Sequence, residues 1–217
     1  MKKYIAMLAI VIPSLIMLLL ASCQKEIISK KVQEETATSS AASGPVTRAY
    51  RDSFQMWLNF RPDIPGGWNP ANPRSRVYWP GYGDGNATHM GKAGVYFNQY
   101  TLRMPIGQIY MFSRPVTMFF ATELQGYNVP GEVAAIVLDG KGNSVWFKND
   151  PNGIPSSSVS PTMVTFSGIM YIIGGTGKFE GATGEITING YFNPAPLSTN
   201  PNALLDGTLW SNGWIRY

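Results

Sequence analysis

Few side chains on this chain offer obvious chemistry. His89 is the only histidine and Cys23 the only cysteine among its 217 residues. A single histidine does not build a zinc site, and no serine or cysteine motif accompanies it for nucleophilic catalysis. We therefore expect the His89 imidazole to bond backbone at the start of a strand. Its alternative role is that of a general acid or base in the mouth of a pocket.

A catalytic carboxylate pair would be drawn from Asp84, Glu123, Glu132, Asp139, Glu180, Glu185 and Asp206. A glycosidase needs two such acids facing each other across a cleft at about 5–10 Å. These acids fall in turns and on the outer faces of predicted strands, so we expect them to be solvated. No oxygen-rich loop of the EF-hand type is present, and we predict neither a metal nor another cofactor.

Aromatic and arginine residues in a proline-rich segment are the best candidates for ligand binding. Rings above a core can stack on sugars or apolar ligands while arginines contact polar groups. The alternative, which we favour, is that the rings form a lid over the core or hold the N-terminal strand against it. The candidate ligand-binding residues are Trp68, Arg74, Arg76, Tyr78, Trp79, Tyr82 and His89.

The four glycines of Gly174–Gly181 suggest a phosphate-binding loop, but the spacing excludes one. Ile172 and Phe179 occupy the first and last required positions of a P-loop. A Rossmann fingerprint would need glycine at Glu180 and a βαβ unit around it. We expect a hairpin turn in which Phe179 fills the end of the core, with Lys178 and Glu180 at the surface.

Alternation typical of strands dominates the chain from Val46 onwards. Phe54, Met56 and Leu58 alternate with more polar residues, as in a half-buried strand. Similar patterns predict strands at Lys92–Leu102, Ile106–Phe112, Val116–Leu124, Glu132–Leu138, Asn143–Lys148, Thr162–Ile173, Glu185–Phe192 and Leu204–Tyr217. Proline and glycine predict irregular structure over Arg61–Gly85, Pro151–Pro161 and Asn193–Asn202. About eight or nine strands without a convincing helix predict an antiparallel sandwich or closed barrel.

The N-terminal residues predict a targeting signal. Lys2 and Lys3 precede an apolar run from Tyr4 to Leu20, which is typical of a secretory signal peptide; the rival is a transmembrane helix of about 20 residues. Leu20-Ala-Ser-Cys23 resembles the lipobox of bacterial lipoproteins. That resemblance implies cleavage before Cys23 and its acylation, so that membrane lipid is a partner.

The residues after Cys23 indicate in which membrane the protein is located. Gln24 is not the aspartate associated with inner-membrane retention, and Gln24-Lys25-Glu26 is similar to an export signal of cell-surface lipoproteins. The resemblance implies an outer-membrane location and leaves surface exposure open. We divide the chain into a signal peptide (1–22), the lipidated cysteine with a disordered linker (23–45) and a barrel domain (46–217), in which 46–84 is an irregular extension and 85–217 the barrel.

Two motifs carry a family resemblance. Ile173-Gly-Gly-Thr-Gly-Lys-Phe-Glu-Gly-Ala-Thr-Gly184 resembles the signature of the dirigent and allene-oxide-cyclase-like proteins and, more closely, of their uncharacterised bacterial relatives. Gly85-Asn-Ala-Thr-His-Met-Gly91 is similar to an element of those bacterial proteins, as is the Gly213–Tyr217 ending. The resemblance implies an all-β fold, an eight-stranded antiparallel β-barrel that side chains fill or that holds one small ligand. It carries no pocket residue over to this chain.

These observations favour a membrane-anchored, non-enzymatic barrel that binds a small molecule, a glycan or an envelope protein. The alternatives are a cyclase- or isomerase-like enzyme acting through a pocket with His89 or an inward carboxylate, and a structural envelope component. Outside Met1–Ser22 the chain carries 15 basic and 13 acidic residues without a basic cluster, so we predict no nucleic-acid partner. The enzyme hypothesis predicts a deep, open interior holding at least one charged group, and an interior packed solid with side chains would exclude it.

Overall fold

The structure is a computed structural model that describes residues 44–62, 77–103 and 108–217. The predicted signal peptide, Cys23 and all but the last residues of the predicted linker lie outside these ranges. The candidate ligand-binding residues Trp68, Arg74 and Arg76 lie outside them as well.

Strands are the main secondary structure of the described chain. They are β1 (Thr47–Asn59), β2 (Arg61–Pro62), β3 (Val77–Ala87), β4 (Gly91–Arg103), β5 (Ile109–Ser113), β6 (Ala135–Leu138), β7 (Ser144–Asn149), β8 (Ile154–Ser160), β9 (Met163–Thr176), β10 (Thr183–Phe192) and β11 (Leu204–Arg216). Within the described ranges one short helix, α1 (Thr117–Phe120), and 3-10 turns at Gly177–Phe179 and Ala195–Ser198 interrupt them.

The strands form one antiparallel sheet that closes into a ring. Its order is β3-β1-β11-β10-β9-β7-β6-β4, and β4 pairs with β3 to complete it. β4 and β9 are long enough for each to pair with two strands along the same side. β4 pairs with β6 and then with β5, and β9 pairs with β7 and with β8. The prediction of an all-β, antiparallel and closed sheet is confirmed.

The inner face of the ring is apolar, and glycines make room for its large side chains. Phe54, Met56 and Leu58 of β1 are buried, which confirms the predicted alternation. Met56 stands opposite Gly83 on one neighbouring strand and Gly207 on the other. A Cβ at either glycine would collide with a carbonyl oxygen of the adjacent strand. Glycine at these positions therefore lets three strands approach closely around one large residue.

One end of the ring is closed by aromatic side chains. Phe179 is fully buried on the 3-10 turn between β9 and β10, and its ring centroid lies 4.8 Å from that of Tyr217. Gly177 adopts φ +63°, a left-handed conformation that favours glycine. Lys178 and Glu180 are exposed. The predicted hairpin turn, with Phe179 in the core, is confirmed.

The prediction of a strand at Val116–Leu124 is wrong. These residues form α1 and the turns after it, and they bury Val116, Phe120 and Leu124 at a spacing of four residues against Ile136 on the outer face of β6. Met118, which a strand would place on the same face, is 55% exposed. The segment fits both periods over a few residues, and only the buried residues at every fourth position separate a helix from a strand.

Two segments predicted to be irregular contain strands. β3 occupies the end of Arg61–Gly85, and β8 occupies most of Pro151–Pro161. Pro80 is tolerated in β3 because the pairing with β1 ends at Gly81 and that with β2 begins at Tyr78, so no hydrogen bond is required from Pro80 on that side. β1 and β3 both belong to the ring, so the ring begins at Thr47, and the described parts of 46–84 that form these two strands are not an extension outside it.

Residues 45–217 form one compact unit, which we call the ring domain. This unit contains all the described strands, a closed sheet and its own hydrophobic core. Those are the properties of a part of a chain that folds by itself.

Candidate functional site

A cavity of about 460 Å³ lies inside the ring. At one end of the strands its lining includes Phe60, Trp79 and Leu197, which are half-buried, and Ile109, which is 40% exposed, so the cavity reaches solvent there. We call this end the mouth. Its volume lies within the ~300–1,000 Å³ of small-molecule sites.

The floor of the cavity lies towards the closed end. We call the lining residues nearest that end the floor residues. The floor residues are Asp52, Val95, Val137, Phe147, Met170, Ile186 and Ser211. The walls are almost wholly apolar, lined by residues such as Met56, Phe97, Met111, Phe166 and Leu209. The arrangement is therefore an apolar chamber with two polar residues at its floor.

Polar side chains higher in the cavity already have partners. The Gln99 side chain exchanges hydrogen bonds with Asn149, at 3.1 and 2.6 Å. Thr101 Oγ1 accepts a 3.2 Å hydrogen bond from Trp79 Nε1. Ser156 Oγ donates to the carbonyl oxygen of Ile109 at 3.2 Å. These groups fix the wall and leave little unmet hydrogen-bonding capacity.

Asp52 and Ser211 differ from them. They are direct cross-strand neighbours on β1 and β11 and are only 8% and 3% exposed. Tyr50, fully buried, lies two residues before Asp52 on the same face of β1. Among the described residues, Asp52 Oδ1, Ser211 Oγ and Tyr50 Oη each lack a partner in hydrogen-bonding geometry. Such unmet polar groups in an apolar interior are costly and need an explanation.

Burial dominates the electrostatics at the floor. It raises the pKa of Asp52 from 3.8 to about 6, although interactions with Ser211 and Tyr50 oppose the rise. The Tyr50 and Ser211 hydroxyls lack partners in hydrogen-bonding geometry, so they oppose the rise through their proximity, and the backbone amide of Ser211 opposes it as well. Burial, followed by the negative charge of Asp52, raises the pKa of Tyr50 well above 10.0. Tyr50 therefore stays a neutral donor, and Asp52 changes charge near neutral pH.

The structure separates the aromatic candidates. Trp79 lines the mouth, where its ring packs against Phe60 at 5.3 Å and Phe192 at 5.4 Å. Tyr78 and Tyr82 lie on the outer face of β3; Tyr78 contacts Phe119, and Tyr82 contacts Trp57. Of the described candidates, only Trp79 lines the cavity.

His89 lies at the opposite end from the mouth. It occupies the turn between β3 and β4 with φ +68°, is exposed, and its Nε2 lies 2.9 Å from the carbonyl oxygen of Ala49. Lys178 Nζ bonds the His89 carbonyl oxygen, and the imidazole packs against Tyr217 at 5.9 Å. The structure thus shows the expected backbone contact and does not bring His89 to the cavity.

The acids considered from the sequence are exposed, apart from Asp139, which is half-buried and accepts a 2.7 Å hydrogen bond from Asn143. Sequence reasoning missed Asp52. A signal was present, because Asp52 falls on the same alternation as Tyr50 and Phe54 and so belongs to the inward face of β1.

The described ranges contain no group of three His, Cys, Asp or Glu side chains placed to share a metal ion. No helix within them has the length and apolar character needed to cross a bilayer. No protein-family model, curated protein or solved structure matches this chain. The geometry of the cavity is therefore the basis for assigning a function.

Proposed function

We propose that this protein is a lipid-anchored envelope protein whose interior binds one small, mainly apolar molecule without transforming it. The observation that carries the proposal is the cavity of about 460 Å³, closed at one end and open at the other, with apolar walls. An interior that served only stability would be filled, because protein cores are close-packed and voids are costly. A ligand of matching shape would supply the packing contacts that the open cavity lacks.

We further propose that the ring is a barrel of the dirigent and allene-oxide-cyclase type. The glycine motif forms the β9–β10 turn, and the closed antiparallel sheet agrees with that architecture. A barrel whose circumference is about eight strands has an interior wide enough for one small ligand. The family resemblance supports the shape of the site and assigns no reaction to it.

Binding can be tested with N-phenyl-1-naphthylamine, a neutral dye that becomes fluorescent in apolar surroundings. The ring domain should bind it saturably at one site. Ala135 is a small inward residue of the cavity wall, so Ala135→Phe should fill the chamber and weaken binding at least ~10-fold, or about 1.4 kcal/mol. The matched control is Ala49→Phe, which places the same ring at an exposed position of β1. The proposal fails if binding is not saturable or if both variants bind like the unchanged domain.

The proposed anchor rests on the sequence Leu20-Ala-Ser-Cys23. Cells expressing the full chain and fed an alkyne-labelled fatty acid should incorporate the label, and a Cys23→Ser chain should not. The labelled chain should fractionate with membranes, as expected for a protein held by several acyl chains, and with the outer membrane, because Gln24 is not the aspartate associated with inner-membrane retention. Equal labelling of the Cys23→Ser chain would contradict acylation at this residue.

A cyclase- or isomerase-like activity is the second candidate, and Asp52 is the observation that favours it. Its pKa of about 6 lies near the working pH of an acid–base catalyst, and it stands at the floor of an apolar pocket. Such a carboxyl would catalyse exchange of carbon-bound protons next to a carbonyl group. In deuterium oxide, apolar cyclic ketones should then exchange faster with the ring domain than with an Asp52→Asn variant. Exchange at the buffer rate would eliminate this candidate.

A further inference from the structure

The floor of the cavity carries an acidic group, and the described residues that line the cavity include no counterion for it. Asp52 is the only ionisable residue among the described residues that line the cavity, and no Lys, Arg or His side chain is among them. Its Oδ1 atom has no hydrogen-bond partner in the described chain. Ser211 and Tyr50 only partly offset the cost of burying this carboxylate, so a cationic group entering the cavity would supply the charge that the described lining lacks.

The groups around Asp52 extend the same site. Ser211 Oγ, directly across on β11, is 3% exposed and unpartnered among the described residues. A hydroxyl both donates and accepts, so it supplies a second contact beside the carboxylate. The remaining floor residues, such as Val137, Met170 and Ile186, are apolar. The polar contact is therefore confined to one spot at the bottom of an apolar chamber.

We propose that the cavity selects molecules with an apolar body and a single ammonium group, and that the ammonium group binds Asp52 and Ser211 at the floor. This inference rests on the proposed binding function and adds the chemical class of the ligand. An ammonium ion supplies both the missing charge and up to three N–H donors. A neutral alcohol supplies one donor and no charge, and a carboxylate would be repelled. The expected order of affinity is amine, then alcohol, then carboxylate.

Three probes with one common body test this order: 1-aminoadamantane, 1-adamantanol and 1-adamantanecarboxylate, each competing with N-phenyl-1-naphthylamine for the ring domain. At about pH 8 the amine should bind at least ~10-fold more tightly than the alcohol. Asp52→Asn should abolish that preference. Asp206→Asn, which neutralises an exposed acid on β11, should keep it. Equal affinities, or tighter binding of the alcohol, would overturn the inference.

A pH series tests the preference for the amine without a variant. The ammonium stays charged up to about pH 10, whereas Asp52 becomes protonated below about pH 6. The titratable group beside Asp52 is Tyr50, which stays neutral in this range. The preference for the amine should therefore fall between about pH 8 and about pH 5. A preference that does not change with pH would overturn the inference.

The two proposals fail in different ways. If the dye itself does not bind saturably, the proposed binding function is wrong, and the ammonium proposal is wrong with it. If the dye binds and the three adamantane probes compete equally, the cavity binds small molecules and only the ammonium proposal is wrong.

Discussion

Replacing Asp52 with asparagine should stabilise the ring domain at neutral pH and have much less effect in acid. Burial raises the pKa of Asp52 in the folded protein from 3.8 to about 6. Between these values the folded protein holds more protons than the unfolded chain. The free energy of unfolding therefore falls as the pH rises through this window, and the favourable protonated state is lost above the folded pKa.

The size of the effect follows from the shift. Two pKa units at about 1.4 kcal/mol each correspond to about 3 kcal/mol, an order-of-magnitude figure for a group that is 8% exposed. Asparagine keeps the shape and removes the charge. The difference in unfolding free energy between Asp52→Asn and the unchanged domain should thus grow by about 3 kcal/mol from below pH ~4 to above pH ~6. For a domain of this size, that corresponds to about 6–12 °C in Tm.

The assay is urea unfolding followed by tryptophan fluorescence, repeated across this pH range. Asp206→Asn serves as the control for removing a carboxylate from the surface of the same sheet. A difference between Asp52→Asn and the unchanged domain that stays constant from acid to neutral pH would refute the reasoning. It would mean that the Asp52 carboxyl is not held in a dry environment.

Further predictions concern the two ends of the ring. Phe179→Ala should cost about 3–5 kcal/mol in urea unfolding, because the ring is fully buried at the closed end. Phe119→Ala, which removes a ring that is 37% exposed, should cost much less, and equal losses would contradict the assigned packing. At the mouth, Trp79→Ala should weaken dye binding about 2–10-fold, the usual contribution of an aromatic contact. Tyr82→Ala, on the outer face, should leave dye binding unchanged, and a similar loss in both variants would contradict the placement of Trp79.

Strands with strict alternation could be predicted from the sequence because each has one buried face. Phe54, Met56 and Leu58 identify the buried face of β1, and Ile186 with Phe192 identify that of β10. Segments rich in proline and serine were wrongly predicted to be irregular, because pairing with neighbouring strands overrides their low local preference for strands. β8 contains three consecutive serines and still forms a strand, because its partners β5 and β9 supply the ladder.

The candidate site was harder to predict because it depends on which residues meet across the ring. Asp52 and Ser211 are far apart in sequence and become neighbours only through the β1–β11 register. The residues around Trp79 were grouped as ligand-binding candidates because they are close in sequence. Neighbouring residues on a strand, however, point to opposite faces. Tyr78 and Trp79 therefore separate, one outside the ring and the other at its mouth.

A buried carboxylate with one unpartnered oxygen among the described residues supports a binding role, because it weakens the fold. An isosteric asparagine or a packed apolar residue at this position should give a more stable ring. Glycines such as Gly83 and Gly207 already show that space around β1 is closely filled elsewhere. The floor instead keeps both an acid and an open chamber above it. A ligand that neutralises Asp52 and fills the chamber would remove both costs together, so it should raise the stability of the ring as it binds.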